Sequence, residues 1–247
     1  MPDFHFYNQH NYWPLYTTIQ QYYPLGLHHT PDRSGFAESY PGQIALEQII
    51  SERLSDYPAF RRRWKPFQEH LREQTKKPVH QEEGVYPSYQ GYIPIRKRAA
   101  NIGTHRKTLH FAISLLGPYF TIYALDTSSV ELSETWHLMG NPAPKTTLLP
   151  HEAIHAVTVS PYEEYTELFH TLEAAILGWF PEYRLVPFSI GCMSLAGLIV
   201  EGCKTQPAPI HAALFHPNIP TQALSTPQCR GDQWYGSSRW RIAVSAS

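Results

Sequence analysis

Leu109-His110-Phe111-Ala112-Ile113-Ser114-Leu115-Leu116-Gly117-Pro118-Tyr119-Phe120-Thr121-Ile122-Tyr123-Ala124-Leu125 is the stretch on which the fold assignment turns. Aromatic and β-branched residues crowd both sides of Gly117-Pro118, a dipeptide that breaks regular structure. The pattern predicts two strands, 109–116 and 119–125, joined as a hairpin. Apolar side chains stand at odd and even positions alike, so both faces of the resulting sheet need cover.

Helical spacing dominates the chain before this hairpin. Residues 11–23 form an aromatic-rich segment with Pro14 in its first turn and Pro24 as its stop. Residues 41–54 place Ile44, Ile50 and Leu54 on one side, flanked by Leu46 and Ile49. In 58–75, Phe60, Trp64, Phe67 and Leu71 follow at steps of four, three and four, an apolar stripe that Pro66 is expected to kink or split. Residues 76–103, punctuated by Pro78, Gly84, Pro87, Gly91 and Pro94, read as loop, as do 126–145.

After the hairpin, alternation over 153–159 predicts a strand. Ser160-Pro161-Tyr162-Glu163 then has the form of a capping box with Pro at the first helical position. Leu168, Phe169, Leu172 and Ile176 line one face of the helix expected over 161–180. Strands are expected at 183–187 and 195–200. The part from about 203 to 247 is Pro-rich and irregular, with a last strand near 239–244. Helices, then strands, then helix and strands describe a single α+β domain over 1–247. Its sheet is mixed or mainly antiparallel, with N-terminal helices and one long amphipathic helix packed on it.

Composition narrows the classes of function. The 247 residues carry 20 basic and 21 acidic side chains, a formal net charge of −1, so no global field collects nucleic acid or an anionic membrane. The clusters Arg61-Arg62-Arg63 and Arg96-Lys97-Arg98 read as solvated faces. Cys192, Cys203 and Cys229 form no C-x-x-C pair and cannot all be paired among themselves, which points to a reducing compartment. No basic segment followed by an apolar run opens the chain, and the apolar stretch 192–200 is far shorter than a bilayer span. The expected location is cytoplasmic, with neither nucleic acid nor membrane as partner.

His151-Glu152-Ala153-Ile154-His155 matches H-E-x-x-H. On a helix this spacing brings two imidazoles within reach of one Zn²⁺, with Glu152 as general base. The segment resembles the zinc-binding stretch of thermolysin-like metalloproteases, and that resemblance implies a third ligand from a downstream helix, for which Glu173 is the matching position. The residues themselves favour another conformation. Val157 and Val159 alternate as in a strand, which spreads His151 and His155 ~13 Å apart along the chain and turns Glu152 to the opposite face. A zinc-dependent hydrolase using 151–155 is therefore the alternative reading; the leading one has no cofactor. Cys192 with His211 as its base is a second nucleophile candidate, set against a structural thiol.

The leading reading is a non-catalytic intracellular protein whose partner is another protein. Tyr and Trp anchor interfaces, and Tyr86, Tyr89 and Tyr92 in the central loop, with Trp234, Tyr235 and Trp240 near the end, are the candidate anchors. In general type such a chain is similar to bacterial toxin-neutralising (immunity) proteins.

Overall fold

In the computed structural model, which describes residues 4–5, 13–25, 40–82, 84, 86–100, 103–136, 145–203, 205, 207–216, 229–230 and 243–244, helices and strands are segregated along the chain. In order they are β1 (Phe4–His5), α1 (Trp13–Tyr22), α2 (Pro41–Ser55), α3 (Tyr57–Thr75), β2 (His80–Gln81), β3 (Ser88–Ala100), β4 (Gly103–Ser114) and β5 (Tyr119–Trp136). Then come β6 (Lys145–Thr158), a 3₁₀ turn (Glu163–Tyr165), α4 (Thr166–Trp179), β7 (Arg184–Leu185), α5 (Phe188–Gly191), α6 (Ile210–Leu214), β8 (Cys229–Arg230) and β9 (Ala243–Val244). The fold is α+β.

The main sheet has the order β2-β3-β4-β5-β6-β8, with β7 added alongside β5. Pairing is antiparallel except for β5 with β7 and β6 with β8. The expected hairpin is its centre: Ile113 faces Phe120 across the turn at 115–118. Both strands run further than the hydrophobic pattern shows, because ladder hydrogen bonds continue into polar sequence that no apolar alternation marks. Most of the expected loops 76–103 and 126–145 is thus strand, in β2, β3 and the end of β5.

Both faces of the inner sheet are covered. Tyr89, Ile93, Leu109, Phe111, Ile113, Phe120 and Ile122 meet Phe60, Phe67 and Leu71 of α3 and Leu168, Phe169, Leu172 and Ile176 of α4. Gly91 lies on this side with no room for a side chain, since a Cβ there would stand 2.7 Å from both the His80 carbonyl oxygen and the Phe111 ring. The opposite face meets α1, α2 and α6 through Ala112, Tyr119, Leu15, Ile19, Leu46 and Phe215. Polar ties fix α6 there: Ser88 Oγ and Gln90 Nε2 both donate to the Phe215 carbonyl, at 2.7 and 2.9 Å, and Tyr23 Oη donates to that of Ala213 at 2.9 Å.

Several local expectations give way to packing. Pro66 does not divide α3, which runs unbroken through it. The buried face of α2 is Leu46 and Arg53 rather than Ile44 and Leu54, which are 51% and 50% exposed. Arg53 Nη1 donates to the carbonyls of Tyr86 and Ser88 at 2.7 and 2.6 Å, and its guanidinium lies 4.6 Å from the Phe60 ring centre. Carbonyls at and just before the start of β3 and an aromatic face thereby hold a buried cation.

The expected helix 161–180 is instead a 3₁₀ turn at Glu163–Tyr165 followed by α4 from Thr166. Glu163 takes a positive φ of 47° and forms no capping box. Tyr165 explains the late start, because its hydroxyl is drawn into the sheet to donate to Asp126. No strand forms at 195–200; an isolated bridge pairs Ser194, just before it, with Pro209. Of the expected strand near 239–244, residues 239–242 lie outside the described residues, and 243–244 form β9, paired with β1.

Leu172 is fully buried between α4 and the sheet. Leu172→Ala is expected to lower stability by about 2–5 kcal/mol, read from the urea unfolding midpoint. A change within the error of that measurement would remove this face of α4 from the core.

Candidate functional site

Four rings cross the sheet in one row, each on its own strand. The ladder pairs His80 with Tyr92, Tyr92 with His110, and His110 with Tyr123. Their centroids are 5.1, 5.6 and 5.3 Å apart, with interplanar angles of 22°, 30° and 10°. Offset stacking of this kind adds to the area the rings bury. From Tyr123 the row passes into the interior, to Phe188 at 4.8 Å and His211 at 6.0 Å.

Its outer part forms one end of a cleft of about 680 Å³ on the sheet face away from α3 and α4. Pro94, Thr108 and Leu125 form the next rung, and Lys97, Arg106, Thr127 and Ile154 the one beyond, with Glu152 at the far end. Two β-bulges set which side chains arrive there. Ile95 is surplus in β3 between Pro94 and Arg96, and His155 is surplus in β6 between Ile154 and Ala156. Strict alternation would carry Lys97 and Glu152 to the other face; each bulge shifts the phase by one and returns them to the cleft.

The charges in the cleft are unequally answered. Lys97 stands directly opposite Arg106, an arrangement of like charges that costs a few tenths of a kcal/mol or more. Among the residues whose side chains are described, no carboxylate lies within ion-pair distance of either. Lys107, one residue along, has Glu164 and Asp126 on the opposite face, and these partners raise its pKa.

At the ring end, His110 is held from both sides. Its Nδ1 is 2.8 Å from Glu82 Oε1 and its Nε2 is 2.8 Å from Thr108 Oγ1. Burial pushes the Glu82 carboxyl up, but the hydrogen bond and charge of His110, with the nearby His216, more than offset this and leave it below its ordinary value. Burial lowers His216, and His110 lowers it further against the pull of Glu82.

The residues singled out from the sequence do not gather at one place. Tyr92 is in the cleft, as a member of the row. Tyr89 is fully buried against Trp64, with ring centres 4.3 Å apart, and is a core residue rather than a surface anchor. Tyr86 is half-buried and packs on His216 at 4.0 Å. Trp234, Tyr235 and Trp240 lie outside the described residues.

His151, Glu152 and His155 are all in β6, so the helical H-E-x-x-H geometry does not form. His155 Nε2 pairs with Ser128 Oγ at 2.7 Å on one face, while Glu152 borders the cleft on the other. Glu173 is buried in α4, with His170 Nδ1 at 3.7 Å. Among the described residues no group of three His, Cys, Asp or Glu side chains could hold a metal ion. This arrangement does not fit the zinc site implied by the metalloprotease resemblance, and no chemistry is routed through one. Cys192 and His211 come to one region, both packed on Phe188.

Compared with protein-family models, curated proteins and solved structures, the chain finds no match in any of the three. Arg106, Thr108, His110, Glu82 and Lys97 were not among the site residues expected from the sequence. The one signal for them was polar residues at every second position, R-x-T-x-H, directly before an apolar strand.

His211 is fully buried beside Phe188 and Phe215, and neither ring nitrogen finds a hydrogen-bond partner among the described residues. Burial, with a smaller contribution from His216, pushes its pKa down from 6.5 to about 3. Below about pH 6.5 the unfolded chain therefore takes up a proton that the folded chain refuses. Stability should fall as pH drops from 6.5 towards 3, by up to about 1.4 kcal/mol per unit. His211→Phe is expected to flatten that slope in urea unfolding followed against pH; parallel slopes in the two proteins would trace the proton uptake to another group.

Proposed function

We propose that this chain is a binding protein that engages an acidic segment of another protein through the cleft. The observation that carries this reading is the opposed Lys97–Arg106 pair on the cleft face of the sheet, which has no carboxylate within ion-pair distance among the described side chains. Two like charges held in register are relieved by an anionic partner, which gains a charge-assisted hydrogen bond from each. Tyr92 and His80, with polar edges and apolar ring faces, border the same cleft and suit the aromatic contacts on which protein interfaces concentrate their energy. A cytoplasmic encounter suits this reading, since the free thiol of Cys203 is in keeping with a reducing compartment. No described helix is long and apolar enough to cross a membrane.

A fluorescently labelled polyglutamate peptide is the defined probe. Fluorescence anisotropy should show it binding the full chain, with affinity falling as salt rises. Lys97→Glu combined with Arg106→Glu is expected to weaken binding by about tenfold or more. Equal affinity in the double variant, or equal binding of polylysine, would be incompatible with this role for the cleft.

A further inference from the structure

On the face of β4 that floors the cleft, Arg106, Thr108 and His110 follow one another at every second residue, with Glu82 behind His110. The two 2.8 Å contacts of His110 form one continuous chain from carboxylate to imidazole to hydroxyl. An ionised carboxylate only accepts hydrogen bonds, so Nδ1 carries a proton towards Glu82. In the neutral form of the ring, the form a general base requires, Nε2 offers its lone pair and the Thr108 hydroxyl donates to it. This is the order of groups that activates a hydroxyl for nucleophilic attack: an orienting acid, a base and a nucleophile, each within hydrogen-bond reach of the next.

The setting adds what such a chain requires. Thr108 borders a cleft large enough to admit a small ligand. Arg106 follows it on the same strand face, about 7 Å along the backbone, within reach of its long side chain. Lys97 lies across from Arg106, so negative charge is favoured on the side of Thr108 away from His110.

We propose that Thr108 is the nucleophile of an esterase site whose substrates are carboxylic esters bearing a second carboxylate on the acyl portion. Only the placement of that second carboxylate rests on the anion-binding reading of the cleft. Thr108 Oγ1 bonds to the ester carbonyl carbon as its proton passes to His110 Nε2, and the carbonyl electron pair moves onto the oxygen beside Arg106. Collapse of this adduct breaks the bond to the alcohol oxygen, which leaves with the proton from His110. Water then attacks the acyl-threonine with His110 again as base, releasing the diacid and restoring the Thr108 hydroxyl. Glu82 is a positioning residue, keeping the imidazole in the required tautomer.

The test uses the full chain with 4-nitrophenyl hydrogen glutarate, and neutral 4-nitrophenyl pentanoate for comparison. Turnover above buffer is expected, with the charged ester favoured by about tenfold. A fluorophosphonate probe should add its mass to the peptide containing Thr108. Thr108→Val and His110→Asn, checked for native circular dichroism, should each lose about a hundredfold in rate, and Thr108→Ser should regain part of what Thr108→Val loses. A rate equal to buffer, a rate undiminished in a folded Thr108→Val variant, or labelling only at other residues would overturn the assignment. Polyglutamate binding without ester turnover would overturn this inference and leave the binding role standing. Turnover of both esters alike, with no polyglutamate binding, would keep the nucleophile and remove the anion-binding role.

Discussion

The register of β4 between β3 and β5 is the constraint on which the rest depends. Leu109, Phe111 and Ile113 all point towards α3 and α4, where they join Tyr89, Ile93, Phe120 and Ile122 in one core. A strand has only two faces, so this packing sends Thr108 and His110 to the other one. The same pairing sets His110 between Tyr92 and Tyr123. Core and cleft are thus two outcomes of one alignment, and the burial of Phe111 helps to aim the imidazole one residue away.

Charge is distributed across the two faces with the same economy. Where β4 faces α4, Lys107 finds Asp126 and Glu164, and Asp126 also accepts from the Tyr165 hydroxyl and lies 3.7 Å from Arg230. That junction, built round the buried Asp126 and Tyr165, fastens the start of the α4 region to the sheet. On the other side of the same strand pair, Lys97 and Arg106 face each other. Asp126 and Glu164 hold elements together, whereas Glu82 and Glu152 border the open cleft without pairing with either of those cations.

The parts legible in the sequence are those where one physical signal acts alone. Gly117-Pro118 between apolar runs marked the central hairpin, and Val157 and Val159 marked β6, which kept His151 and His155 from being read as a helical pair. Where two signals compete, local pattern misleads. Pro66 sits inside α3 because the apolar stripe of Phe60, Phe67 and Leu71 is buried on both sides of it. Tyr165 pulls the start of α4 past the Pro that would otherwise begin it. Arg53 is buried through carbonyls 33 and 35 residues away, which no window around position 53 contains. The cleft was hidden for a further reason: Lys97 and Glu152 reach it only because Ile95 and His155 interrupt the alternation by which strand faces are read.

Those two surplus residues bear on how the chain can change length over evolutionary time. Each stands outside the pairing of its strand, so a chain lacking Ile95 or His155 would keep every other ladder partner on its present face. Loss of a neighbour such as Arg96 or Ile154, without the bulge moving to compensate, would exchange the faces of the residues beyond it. Length differences among any relatives of this chain should therefore be tolerated inside the long strands at these two points first, even though both lie in the middle of the sheet rather than in its turns.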